Sequence, residues 1–263
     1  MSREVILHDL YSLIGSQLPS SSYAMKGGYV LRSLLDEVAE TRDIRYTEDI
    51  DVSVKGVEYF SSIVDAVLPY IQRLIANGTI YSYKIQEPSI ATGRSGYIKL
   101  YRKSTANTRA YVYCGVDVDI RVLNYGIISL NDGMSSYSIE RMLADKFMAL
   151  YFGDLKRILH RSKDIVDIYL LSIYLKDKNG VLQLNILLRS IKSQLRQRCI
   201  SSVPSCSSLE TIYCSNLDVL IDSVNRVKES DRMNHGMLKI SSNEIIECAL
   251  NFINYIRSCL NEE

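Results

Sequence analysis

An alternation of aspartate with branched apolar residues occurs twice in this chain, at Asp49-Ile50-Asp51-Val52-Ser53-Val54 and at Val116-Asp117-Val118-Asp119-Ile120. A period of two belongs to a strand, where alternate side chains share a face. Ile50, Val52 and Val54 therefore fall on one face and Asp49, Asp51 and Ser53 on the other, the pattern of a half-buried strand. Carboxylates two apart on a strand stand roughly 6–7 Å apart at the backbone. At that spacing both can converge on divalent ions about 3.5–4 Å apart. Magnesium suits such a site because it prefers oxygen ligands and keeps positions open for phosphates. One acidic strand alone is more often an ordinary solvated face. With two such strands there are two arrangements. If they are neighbours, their like charges repel unless a cation separates them; if they lie apart, each face is wet. The first arrangement makes Asp49, Asp51, Asp117 and Asp119 candidate metal ligands.

Periodicity elsewhere divides the chain in two. Residues 3–15 have helical spacing, Ser20 to Ser22 form a polar loop, and Tyr29 to Ala39 reads as a helix with Val30, Leu31, Leu34, Leu35 and Val38 on one stripe. Residues 58–76 are again helical, Asn77-Gly78 is a turn, and β-rich runs follow at Thr79–Ile85, Tyr97–Lys103 and Arg109–Leu123, with a loop between Pro88 and Gly96. Beyond about residue 135 the strand signal ends. Ile139–Phe152, Ser162–Lys176, Val181–Ile200, Leu209–Val227 and Asn243–Leu260 read as helices, and Ser207/Glu210 and Ser241/Glu244 have capping-box spacing. The expected architecture is an α+β domain over residues 1–135 followed by a helical domain over residues 136–263.

Composition narrows the function classes. With 31 Lys and Arg against 30 Asp and Glu there is no global field to attract nucleic acid, so any RNA or DNA contact requires a local patch. Two patches qualify by sequence. Arg94, Lys99, Arg102, Lys103, Arg109 and Arg121 are interleaved with Tyr97, Tyr101, Tyr111 and Tyr113; these either grip a strand by charge and stacking or pack across the sheet. Arg189, Lys192 and Arg196 make a basic helix face that is either solvated or set against an RNA backbone. The 6 cysteines form no CxxC pair, the N-terminus does not read as a signal peptide, and no apolar stretch is long enough to span a bilayer, which together suggest reduced thiols in a cytoplasmic protein. The 3 histidines lack metal-ligand spacing, and there is no P-loop sequence.

Two further features bear on phosphate chemistry. Lys26-Gly27-Gly28 precedes an amphipathic helix; glycines admit a phosphate close to the backbone, and free N–H groups at a helix start attract anions. Lys146 recurs with Met142, Leu143, Phe147 and Leu150 at three- and four-residue steps, on the apolar stripe of its helix. A lysine so placed requires an anion, either a triphosphate or Asp164.

Taken together, Lys26-Gly27-Gly28-Tyr29-Val30-Leu31-Arg32 and Arg45-Tyr46-Thr47-Glu48-Asp49-Ile50-Asp51 resemble the first motif of the AbiE-type (AbiEii/AbiGii) abortive-infection nucleotidyltransferase toxins, within the DNA polymerase β-like superfamily. Asp145-Lys146-Phe147-Met148-Ala149-Leu150, with Arg161 through Tyr169, is similar to that family's lysine helix and its Arg-x-x-Asp-x-x-Asp helix. The resemblance spans roughly residues 24–172. It implies a polymerase β-like core of mixed sheet and helices, with a helical C-terminal domain that contributes Lys146 and Asp164 to the site.

By the same resemblance, Lys26, Gly27, Gly28 and Thr47 would line the triphosphate and Asp49 and Asp51 would ligate two magnesium (or manganese) ions. Asp119, or its neighbour Asp117, would supply a third carboxylate, Lys146 would contact phosphates and Asp164 would complete the second motif, while Asp167 reads as a structural brace. The implied reaction moves a nucleotidyl group from a nucleoside triphosphate to an acceptor hydroxyl, either the 3′ end of tRNA or a protein side chain. The implied role is the toxin of a toxin–antitoxin or phage-defence pair with a cognate antitoxin. Two positions depart from the pattern: Tyr29 stands where the family has a small hydroxyl residue, and Thr47 where it commonly has Ser. Tyr29 also motivates a rival reading, a nucleotide-binding module without catalysis.

Overall fold

The computed structural model describes residues 1–36, 47–92, 94–103, 109–121, 126–153, 158–177, 182–230 and 240–262. Val38, Ala39, Arg45, Tyr46, Leu123, Val181 and His235, which figure in the sequence reading, lie outside the described residues. Two compact units are present. One comprises Met1–Val30 and Thr47–Tyr137; the other contains residues 31–36 and the described residues from Ser138 onward.

The first unit is built on a sheet. Its elements are α1 (Arg3–Gln17), β1 (Tyr23–Lys26), the start of α2 (Gly27–Asp36), β2 (Asp49–Val54), α3 (Glu58–Ala76), β3 (Ser82–Gln86), β4 (Gly96–Lys103), β5 (Ala110–Ile120), β6 (Ile127–Ser129) and β7 (Ser135–Tyr137). The seven strands run in the order β3-β4-β5-β2-β1-β7-β6. The β2–β5 and β1–β7 pairs are parallel and the others antiparallel, so this is a mixed sheet and the α+β class expected from sequence holds.

The alternation in β2 decides which face is dry. Ile50, Val52 and Val54 are almost wholly buried and pair with Val116, Val118 and Ile120 of β5. Each such side chain contributes roughly 1.5–3 kcal/mol when buried. A one-residue slip would send the aspartates into that core, which fixes the register. Helices cover the apolar face: α1 packs on α3, β2 and β5, and Phe60 of α3 stands against Gly96, the register partner of Val118. The carboxylates are left on the opposite face.

The helical unit contains α4 (Ile139–Tyr151), a 3-10 turn (Leu159–Arg161), α5 (Ser162–Asp177), α6 (Leu184–Gln197), α7 (Ser208–Ser215), α8 (Leu217–Ser230) and α9 (Ser242–Glu262). α4 packs against α5, α6 and α7, and α5 against α8 and α9. Ser207 and Glu210 form a complete capping box at α7, and Ser241 Oγ accepts from the Glu244 N–H at α9. The stretch Leu209–Val227, read as one helix, is broken at Asn216, whose side-chain amide donates to Ser215 Oγ and whose backbone leaves the helical region. Among the described residues no helix is long and apolar enough to cross a membrane.

Candidate active site

Strand register collects the acidic residues. Across β1, β2, β5 and β4, one row of paired residues reads Lys26, Asp51, Asp117, Tyr97. The row on one side of it pairs Asp49 with Gly115 and Lys99, and the row on the other pairs Ser53 with Asp119. Paired residues project to the same side of a sheet. Asp49, Asp51, Asp117 and Asp119 therefore share one face of adjacent strands, the arrangement in which like charges need a cation between them.

The chain supplies cations of its own. Lys99 Nζ lies 3.0 Å from Asp117 Oδ1 and 3.2 Å from Asp49 Oδ1. Lys26 pairs with Asp119, which also faces Arg121 at 3.3 Å and accepts from Ser95 Oγ. Burial pushes the Asp117 carboxyl above its ordinary value, against the pull of Lys99. Burial acts on Asp119 in the same direction, but Lys26, Arg121 and Ser95 outweigh it and hold that carboxyl at about 2. For Lys99, burial opposes the charge, yet the hydrogen bond to Asp117 and the charges of Asp49 and Asp117 prevail, and its pKa rises. Asp49 Oδ1 is buried and, though near Lys99, has no aligned hydrogen-bond donor. Among the described residues, no group of three or more Asp, Glu, His or Cys side chains is gathered as a metal cage.

The glycine pair lies directly against this face. Gly27 begins α2 with φ +73, and a Cβ there would stand 2.1 Å from Asp51 Oδ2. Only glycine fits, for both conformation and space. Gly27→Ala should destabilise the protein by roughly 2–5 kcal/mol, the sum of left-handed strain and overpacking. Chemical denaturation measures this, and an unchanged midpoint would contradict the described approach of Gly27 to Asp51. Gly28 is buried. Thr47 Oγ1 donates to the Asp49 carbonyl at 2.8 Å and fixes the start of β2. Tyr29 turns toward α1, its ring 4.8 Å from Tyr11 and its hydroxyl 3.3 Å from His8 Nδ1.

Lys146 and Asp164 belong to the helical unit. Lys146 Nζ donates to Asp164 Oδ1 at 3.0 Å and to Asp167 Oδ2 at 2.6 Å. Asp167 is 1% exposed, and Arg161 reaches Asp164 at 3.5 Å. The anion that a buried lysine requires is thus present within the unit, from Asp164 and Asp167 together.

Several of the basic and aromatic residues in and beside β4 and β5 are engaged with neighbouring rings, with carbonyls or with the carboxylates. Arg102 stacks 3.7 Å from the Tyr113 ring and donates to the carbonyls of Thr79 and Met1. Lys103 lies over Tyr81. Lys99 and Arg121 serve the acidic face, a role their place in a basic-aromatic run did not reveal. The alternation of β4 puts Lys99 on the face of Tyr97, but which strand lies beside β4 is not written in its own sequence.

A mixed sheet with carboxylates gathered on one face of neighbouring strands, and a Gly-Gly helix start laid against them, is the framework of a nucleotidyltransferase. Residues 9–211 match the family model described as nucleotidyl transferase AbiEii toxin, type IV toxin–antitoxin system. The chain belongs to that family, as the resemblance of its motifs implied, and is a nucleotidyltransferase of a type IV toxin–antitoxin system with a cognate antitoxin as its expected partner. Its fold is similar to the crystal structure of JHP933 from Helicobacter pylori, with a TM-score of 0.52, 14% identity, and coverage of 100% of this chain and 95% of that one. The Megavirus polyadenylate synthase also aligns, with a TM-score of 0.36, 12% identity, and coverage of 86% of this chain and 49% of that one. No curated protein sequence matches the chain.

Proposed function

We propose that the chain transfers a nucleotidyl group from a nucleoside triphosphate to an acceptor hydroxyl, releasing pyrophosphate, on the face formed by Asp49, Asp51 and Asp117. The observation that carries this reading is the setting of Asp51. It is in register with Asp117 on one side and Lys26 on the other, two residues from Asp49, and it lies beneath the Gly27 backbone.

Asp49 and Asp51 are the residues that would hold magnesium, or manganese in its place. Their oxygens are the hard donors such ions prefer, and Asp49 Oδ1 is buried with the Lys99 ammonium 3.2 Å away but no aligned hydrogen bond. Magnesium is ordinarily held by one or two carboxylates together with substrate phosphates, in keeping with a face that forms no cage of three protein ligands. When bound, two such ions polarise the α-phosphate and lower the pKa of the attacking hydroxyl. Main-chain N–H groups at Gly27 and Gly28 offer the triphosphate its anion site, with Tyr29 turned away toward α1. Thr47 acts through Asp49, whose carbonyl it holds. Asp117, in register with Asp51, is the carboxylate that would orient and accept the acceptor's proton. Asp119 stands one row further, beside Ser53, where it positions Lys26 and Arg121. Lys146 and Asp164 are given a bracing role in the helical unit.

For the acceptor we propose the 3′ end of tRNA, whose extension would halt translation, one way in which such a toxin would act; a protein hydroxyl is the rival acceptor. Purified protein incubated with labelled triphosphates, magnesium, total RNA and cell protein tests this. Label is expected in tRNA. Label in protein alone would move the acceptor to a side-chain hydroxyl, and triphosphate binding without pyrophosphate release would favour a binding module.

A further inference from the structure

Lys99 reaches the carboxylates by an unusual route. It is in register with Gly115 of β5, which in turn pairs with Asp49 of β2. A Cβ on Gly115 would stand 2.9 Å from Lys99 Cδ and 3.2 Å from Asp49 Oδ1. The missing side chain is therefore the gap through which the Lys99 stem crosses β5, so that its ammonium sits 3.2 Å from Asp49 Oδ1 and 3.0 Å from Asp117 Oδ1. The Lys99 side chain is 19% exposed and those of Asp49 and Asp117 are 31% and 40% exposed, so solvent screens this contact in part.

We infer that Lys99 is an internal counter-ion that competes with the metal at Asp49. It neutralises Asp49 and Asp117 while the site holds no nucleotide. It must leave Asp49 before a divalent cation can bind there, and an arriving triphosphate gives the displaced ammonium a new anionic partner. Metal binding therefore depends on the nucleotide, which keeps the site from loading with metal alone. The inference rests on the proposed placement of metal at Asp49 and Asp51.

Calorimetric titration of the full chain with Mn2+, alone and with a non-hydrolysable triphosphate, tests this beside thermal unfolding with and without Mn2+. With the Mn2+ uptake of the triphosphate alone subtracted, the parent protein should bind Mn2+ at least about ten-fold more tightly when the triphosphate is present. Lys99→Met should bind Mn2+ alone at least about ten-fold more tightly than the parent, because one positive charge no longer repels the ion at close range. Without metal that variant should unfold at a lower temperature than the parent, and Mn2+ should repair the deficit. Should Lys99→Met not fold without metal, the double variant Lys99→Met with Asp117→Asn removes one charge of each sign; it should fold and keep the tighter Mn2+ binding. Equal Mn2+ affinity in the parent and the variants would overturn the inference while leaving the proposed site in place. Absence of Mn2+ binding in the parent and variants, even with triphosphate, would instead overturn the metal placement.

Discussion

Asp51→Asn is expected to lower nucleotidyl transfer by about a thousand-fold or more, the equivalent of roughly 4 kcal/mol of transition-state stabilisation by a bound metal. The replacement is isosteric, so the packing beneath Gly27 is kept. The melting temperature should therefore stay within a few degrees of the parent's. Activity and stability separate here because Asp51 faces the side of β2 opposite the core formed by Ile50, Val52 and Val54. A loss of less than about ten-fold in a folded variant would mean that the carboxylate does not touch the reacting groups.

The second large effect is structural and falls on the helical unit. Lys146→Met should destabilise that unit by about 3–5 kcal/mol, the usual cost of removing one partner from a buried ion pair. The variant leaves Asp167, at 1% exposure, and Asp164 facing each other without the ammonium that now bridges them. Adding Asp164→Asn and Asp167→Asn should recover most of the loss, since the carboxylates that have lost the ammonium are then neutral. Chemical denaturation followed by helical signal measures both steps. A single variant as stable as its parent would show that the triad bears no load in the folded state.

How much of this was legible from sequence depends on the range of the physics involved. The apolar-acidic alternation in β2 and β5 is local, and it marked both the strands and the aspartates. That the two strands are neighbours in parallel register, with Asp51 beside Asp117, is a long-range fact that neither segment contains. β1, β6 and β7 are three or four residues long, too short to display a period. The helix-like run Leu209–Val227 hides its break because it lies in the backbone conformation of Asn216 rather than in a change of hydropathy.

The site shows the same division. The glycine pair and the first Asp-x-Asp were readable as motifs, and the buried Lys146 called for an anion that proved to be two, Asp164 and Asp167. Lys99 was visible only as one cation among many in a basic-aromatic run. Its meaning depends on Gly115 and Asp49, 16 and 50 positions away in the chain.

The most direct test of the account is a crystal structure of the protein with Mn2+ and a non-hydrolysable triphosphate, in which the anomalous signal locates the metal. The account predicts manganese on Asp49 and Asp51, with phosphate oxygens at the Gly27 and Gly28 N–H groups. Manganese and triphosphate bound away from β2, with Asp49 still paired with Lys99, would contradict it.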